Sequence, residues 1–164
     1  MAQYIDTPYK GQMTTSGLNK RFNDSLGGSK VVSGFYVSAG SSGMTFNVSP
    51  GVLYINGVRI EETTSFTVNG TNGDASYGRY DILYCRYVHA DGNTSATWGI
   101  LTGTASATPV LGYVPDSTYL PVAYIYVPAG ATAASSCTIG YIGRPKFQTT
   151  FNYVNKSIEI SYIG

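Results

Sequence analysis

Charge is scarce in this sequence. Asp, Glu, Lys and Arg make up only 12% of 164 residues, about half the usual share for a globular chain, and the net charge is +1. The ten basic residues are scattered along the chain, which leaves no electrostatic drive toward nucleic acid or an anionic membrane. Histidine occurs once, at His89, and cysteine twice, at Cys85 and Cys137, so no set of metal ligands can be assembled. Two distant cysteines read first as small buried hydrophobes; a disulfide stays open if their strands are neighbours. Long hydrophobic runs are missing too. No window approaches the ~18 apolar residues of a membrane span, and Met1 to Lys10 lacks the apolar stretch of a signal peptide. Without such a signal, the Asn-x-Ser/Thr triplets at Asn23, Asn47, Asn69, Asn93 and Asn155 imply no glycan.

Catalytic groupings are equally thin. His89 sits near Asp91 at a hairpin tip, where an Asp ordinarily stabilises its own turn, and no Gly-x-Ser-x-Gly elbow supplies a nucleophile. Glu61 and Glu62, with Asp74, could suggest calcium, but adjacent carboxylates on a strand point to opposite faces. The glycine-rich Ser38 to Gly43 opens no helix and reads as a turn rather than a phosphate loop. The acids show no pairing of the kind a glycoside hydrolase needs. The expectation is a protein that is not an enzyme and carries no metal or cofactor.

What fills the sequence instead is tyrosine, fifteen residues, and glycine, twenty, alongside many Ser, Thr and Asn. A surface of Tyr, Ser and Asn with little charge resembles interface more than the exterior of a free monomer. Two runs organise the chain, Arg79 to Val88 and Leu120 to Val127, both dense in β-branched and aromatic residues and bounded by turn formers. Neither alternates cleanly, as expected of strands packed on both faces or against another subunit.

Around this centre lie shorter strand candidates: Val31 to Ala39, Met44 to Val48, Val52 to Ile55, Val58 to Ile60, Thr63 to Val68, Ser95 to Leu101, Ser136 to Ile142, and one or two within Phe147 to Ile163. Asn56-Gly57 is the strongest hairpin signal, because both central residues must tolerate positive φ. Gly103 to Thr118 reads as a long loop. The one helix candidate is Ser16 to Leu26, where Leu18, Phe22 and Leu26 form a stripe; it is too short to be helical alone in water and must dock on something. The predicted fold is all-β, an antiparallel β-sandwich or jelly-roll-like domain of about ten strands with a short N-terminal arm and helix. Its segments are residues 1–28 (arm and helix, for attachment), 29–146 (sandwich) and 147–164 (C-terminal strands or interaction tail).

Among single residues, Arg79 and Asp81 share a strand face and can pair with each other or across strands, while Arg86 points the other way among aromatics. Tyr84, Tyr87, Trp98, Tyr124 and Tyr126 are candidates for a subunit seam or a glycan-binding surface; Tyr80 belongs with the same tyrosines.

The order of several pieces resembles bacteriophage tail-fibre and baseplate proteins. The pieces are Val48-Ser49-Pro50-Gly51 with Tyr54-Ile55-Asn56-Gly57-Val58, then Arg79-Tyr80-Asp81-Ile82-Leu83 with Arg86, then Gly103-Thr104-Ala105 and Thr108-Pro109. Leu120-Pro121-Val122-Ala123-Tyr124-Ile125, with Val127, Gly130 and Arg144, completes the series. In that family an Asp precedes the final Arg by two; Ile142 stands there in this chain. The resemblance covers about residues 44 to 146 and implies a virion structural protein, usually a homotrimer or ring, with no catalytic role. It implies contact with other virion proteins through Met1 to Gly28, where Leu18, Phe22 and Leu26 would attach. The competing expectation is a module that binds a host-surface carbohydrate.

Overall fold

The computed structural model describes residues 27–90, 93–142, 147–152 and 157–162. The predicted helix with Leu18, Phe22 and Leu26, the Asp91-Gly92 turn and Arg144 lie outside the described residues. Within them the chain is nearly all β, and every strand pairing is antiparallel.

The first six strands are β1 (Lys30–Gly34), β2 (Val37–Ala39), β3 (Thr45–Val48), β4 (Gly51–Ile55), β5 (Val58–Glu62) and β6 (Phe66–Asn69). They form two three-stranded sheets, β1-β4-β5 and β2-β3-β6. These are two halves of one meander creased across its middle. Gly34 faces Gly51 and Val37 faces Val48 in a common register, and the pairing runs through the crease: Phe35 N–H donates to the Pro50 carbonyl (3.2 Å) and Ser49 N–H to the Tyr36 carbonyl (2.9 Å). On the other side Gly51 pairs with Glu62 and Val48 with Phe66, so Thr63–Ser65 spans where the partner strand has only Ser49 and Pro50. One extra residue on the outer strand is the local irregularity that bends a sheet.

The crease is written in local chemistry. Gly34 (φ 68°) and Phe35 (φ 54°) both enter the left-handed region, and a Cβ on Gly34 would overlap the Pro50 carbonyl oxygen. Pro50 lacks an N–H and so breaks the ladder between β3 and β4. The predicted Val31–Ala39 strand is therefore two strands. Asn56 (φ 51°) and Gly57 (φ 79°) make the predicted hairpin turn between β4 and β5.

The second layer is a four-stranded sheet of β7 (Arg79–Ala90), β8 (Asn93–Leu101), β9 (Tyr119–Val127) and β10 (Thr138–Tyr141), in the order β10-β9-β7-β8. A 3₁₀ turn at Ala134–Ser136 precedes β10. β8 and β9 both run antiparallel to β7 on its two sides, so Thr102 to Thr118 is a crossover that travels from the Arg79 end of the sheet to the Arg86 end. The register slips once, between Leu83 and Tyr84, which places Val122 as an extra residue on β9. The strands β11 (Phe147–Asn152) and β12 (Ser157–Tyr162) pair as a hairpin.

One core joins the two layers. Phe46, Val48, Leu53 and Ile55 from the meander pack in a single cluster with Leu83, Cys85, Val122, Ala123, Ile125 and Val127 of the second sheet. At about 25 cal/mol per Å² of apolar surface, this shared burial is the principal term holding the layers together. The two layers around one core match the predicted antiparallel β-sandwich fold.

Candidate interaction surface

β7 sorts its residues by parity. Arg79, Asp81, Leu83 and Cys85 face inward, and Tyr87 packs against the same core. Tyr80, Ile82, Tyr84 and Arg86 face the other way. The non-alternating sequence is thus explained: one row fills the core, and the other carries aromatic rings.

The Arg79–Asp81 pair is buried, with 5% and 1% of each residue exposed. Arg79 Nε donates to Asp81 Oδ1 (2.8 Å) and Nη2 to Oδ2 (3.1 Å), a bidentate fork. The guanidinium also donates to the carbonyls of Asn72 (2.9 Å) and Thr71 (2.8 Å) and to Thr71 Oγ1 (2.7 Å), while Asp81 Oδ1 accepts the Gly103 N–H (2.9 Å). Two charges that would be costly to bury alone are satisfied by each other and by two loops. The pair ties the segment before β7 and the start of the crossover to the sheet. Its role is architectural.

The five aromatic candidates do not share one surface. Trp98 lies on the inner side of β8, with its ring 4.7 Å from Phe35 and 4.9 Å from Phe66 between centroids, and its Nε1 donates to Glu62 Oε1 (3.0 Å). It plugs the crease of the meander. Tyr87 also turns to the core side. Tyr84, Tyr124 and Tyr126 lie on the opposite face, joined by Tyr80 and by Tyr119, a residue that no pattern in the sequence singles out. Tyr80 contacts Tyr126 (5.2 Å) and Tyr124 (6.0 Å), and Tyr84 contacts Tyr119 (5.0 Å). Arg86 sits over the Tyr119 ring at 5.1 Å.

Glycines explain how these rings lie. Tyr84 is the cross-strand partner of Gly99 and Tyr124 that of Gly140, and a Cβ added at either glycine would strike the ring opposite. Each ring therefore rests across a bare backbone position, the arrangement known to rescue glycines within sheets. A third ring, Tyr126, meets Gly78 in the same way. The abundance of glycine and that of tyrosine are to this extent linked, because the one makes room for the other.

The crossover is the other exposed aromatic-apolar element. Its ends are held by Gly103 N–H on Asp81, Ser106 N–H on the Gly78 carbonyl (3.2 Å) and the Asn56 side-chain amide on the Ser117 carbonyl (3.0 Å). Its middle projects: Val110 is 79% exposed and Tyr113 95%. Asp116, near the far end, accepts from the Thr118 hydroxyl (2.5 Å) and N–H (2.7 Å), which hold its carboxyl below the usual range, with Arg86 helping. The signal for this element was present in sequence as Val110, Leu111, Tyr113 and Val114 between Pro109 and Pro115.

Glu61 pairs with Arg59 at 2.6 Å in the open, and Glu62 is engaged by Trp98, so the two carboxylates diverge. Among the described residues no group of three or more His, Cys, Asp or Glu could hold a metal ion. Burial pushes the Cys85 thiol up to about 12, and Cys137 is raised by the same cause; both are free thiols. No helix among the described residues is long and apolar enough to cross a membrane. No protein-family model matches the chain, and neither does any curated protein or solved structure.

Proposed function

We propose that the chain is a structural subunit of a bacteriophage particle, in tail, baseplate or head fibre, acting as an oligomeric adaptor or decoration element without catalysis. One observation carries the reading: three of the pieces that make the family resemblance are spent on architecture. Pro50-Gly51 forms the crease, Asn56-Gly57 the hairpin turn, and Arg79 with Asp81 the buried tie between two loops. A sparsely charged exterior bearing tyrosine rings and a projecting Val110–Tyr113 segment suits a protein that works by contact. In this reading copies associate, in a trimer if the family pattern holds, and Met1 to Gly28 engages other virion proteins.

The test is incorporation into particles by full-length chain and by a chain lacking Met1 to Gly28. The truncated chain should keep its β circular dichroism and fail to incorporate. Equal incorporation of both, or turnover of a sugar or ester by the purified protein, would overturn the reading. A host-surface carbohydrate remains the second reading because of one feature, the tyrosine rings laid across Gly99 and Gly140. Selective binding on a glycan array that is lost in Tyr124→Ala would favour it. Trp98 is unsuited to that test, since its ring is packed between Phe35 and Phe66.

A further inference from the structure

We propose that β8 is the contact between copies: it pairs antiparallel with the β8 of a second copy, joining two four-stranded sheets into one. A two-fold contact joins copies in pairs and does not close a three-fold ring, so it adds a pairwise contact to the self-association proposed above, on which it rests for its role.

β8 is the outermost strand of its sheet, with β7 on one side only. The direction of its backbone groups follows from β7. Tyr87 N–H donates to the Thr118 carbonyl, on the β9 side, so odd-numbered residues of β7 address β9 and even-numbered ones address β8. Pro121 stands opposite Tyr84, an even position that asks β9 for no N–H, as this parity requires. The β8 partners of the even residues are Ser95, Thr97, Gly99 and Leu101, so Ala96, Trp98 and Ile100 turn their backbone N–H and C=O outward. Among the described residues, none bonds those groups on that side.

Sheet edges are normally protected by charge, proline, a bulge, brevity or a covering segment. β8 has none of the first four, and β6 approaches it from the other layer without bonding to its outward backbone groups. β8 runs nine residues from Asn93 to Leu101, carries no charged residue and no proline, and its register with β7 is unbroken from end to end. The occupant that fits is an equally uncharged extended strand, and a second β8 satisfies this without placing like charges opposite each other. A two-fold axis at Thr97, the middle of the strand, overlaps all nine residues, sets Ala96 against Trp98 of the partner subunit, and forms about eight ladder bonds. The side chains of Ser95 and Thr97 are exposed and present no obstacle.

The experiment measures mass by analytical ultracentrifugation over a concentration series, with amide-resolved hydrogen exchange, on the full chain and two variants. Thr97→Glu brings two carboxylates together at the axis, while within its own sheet it faces Arg86, a charge of opposite sign. Ala96→Pro removes an outward N–H that β7 does not use. The expected result is a wild-type assembly in which the Ala96, Trp98 and Ile100 amides are protected. Each variant should keep its β circular dichroism, weaken association about tenfold or more, and release the outward amides (Trp98 and Ile100 in both, and residue 96 where it still has an N–H), while those of residue 97 and Gly99, bonded to β7, stay protected. Assembly unchanged in both variants, with the outward amides exchanging freely, would overturn this contact and leave the assembly reading standing. A monomer at every concentration would overturn both the contact and the self-association, and outward amides protected in that monomer would identify another segment of the same chain as the strand's cover.

Discussion

Replacing Asp81 by Asn tests how much the buried ion pair contributes. The substitution conserves shape and removes one charge. The native carboxylate accepts three hydrogen bonds, from Arg79 Nε (2.8 Å), Arg79 Nη2 (3.1 Å) and Gly103 N–H (2.9 Å). In either amide orientation the new NH₂ confronts a donor, and the Arg79 guanidinium is left with an uncompensated charge at a site where only 5% of the residue is exposed. Breaking one partner of such a pair costs about 3–5 kcal/mol, a large share of the ~5–15 kcal/mol that stabilises a domain. Thermal unfolding should therefore drop by about 10 °C or more. The comparator is Glu61→Gln. Arg59 and Glu61 have the same two-residue spacing and a 2.6 Å contact, but their side chains are 49% and 44% exposed, so no measurable change is expected. A third variant, Arg79→Met with Asp81→Leu, would be close to neutral if the pair stood alone. Here it should stay destabilised, because the Thr71 and Asn72 carbonyls and the Gly103 N–H lose their partners. The assay is urea unfolding followed by the single Trp98 and by circular dichroism. A cost below about 1 kcal/mol for Asp81→Asn would refute the reasoning.

Gly34→Ala should cost about 2 kcal/mol or more in the same assay, since φ is 68° and the new Cβ would overlap the Pro50 carbonyl oxygen; Gly112→Ala, with nothing within 4 Å, should be neutral or slightly stabilising. Trp98→Ala should destabilise by about 3 kcal/mol by opening the space beside Phe35 and Phe66, read as an earlier urea midpoint. In the native protein a maleimide at neutral pH should leave Cys85 unlabelled, because its thiol is pushed up to about 12 by burial; both cysteines should react after unfolding, and native labelling of Cys85 would contradict the packing. The carboxyl of Asp74 is held below its ordinary value by the Ser76 and Tyr77 N–H groups, and that of Asp116 by Thr118. A depressed folded value means that their stabilisation is complete above the ordinary carboxylate range and is lost as pH falls through the lower folded value. Stability should thus decline on acidification below about pH 4, less steeply in Asp74→Asn, as measured by urea midpoints across pH.

The sequence determined the material of this protein: strands bounded by turn formers, the Asn56-Gly57 hairpin, the long Gly103–Thr118 loop, and the shared face of Arg79 and Asp81. These are legible because side-chain parity and positive-φ turn chemistry act within a few residues of the chain. What sequence could not yield was which tyrosines share a surface. Parity separates Tyr84 from Tyr87, but only the β7–β9 pairing sets Tyr80 beside Tyr126, and only the bulge at Val122 sets Tyr119 beside Tyr84. The crease was likewise hidden in what read as one strand, Val31 to Ala39, since its cause is the meeting of Gly34 with Gly51, residues seventeen positions apart. Trp98 looked like an exposed ring because its partners Phe35, Glu62 and Phe66 come from the other layer. Periodicity reports which way a side chain points; which neighbour it meets is decided by register and layer packing, and those exist only once the whole chain has folded.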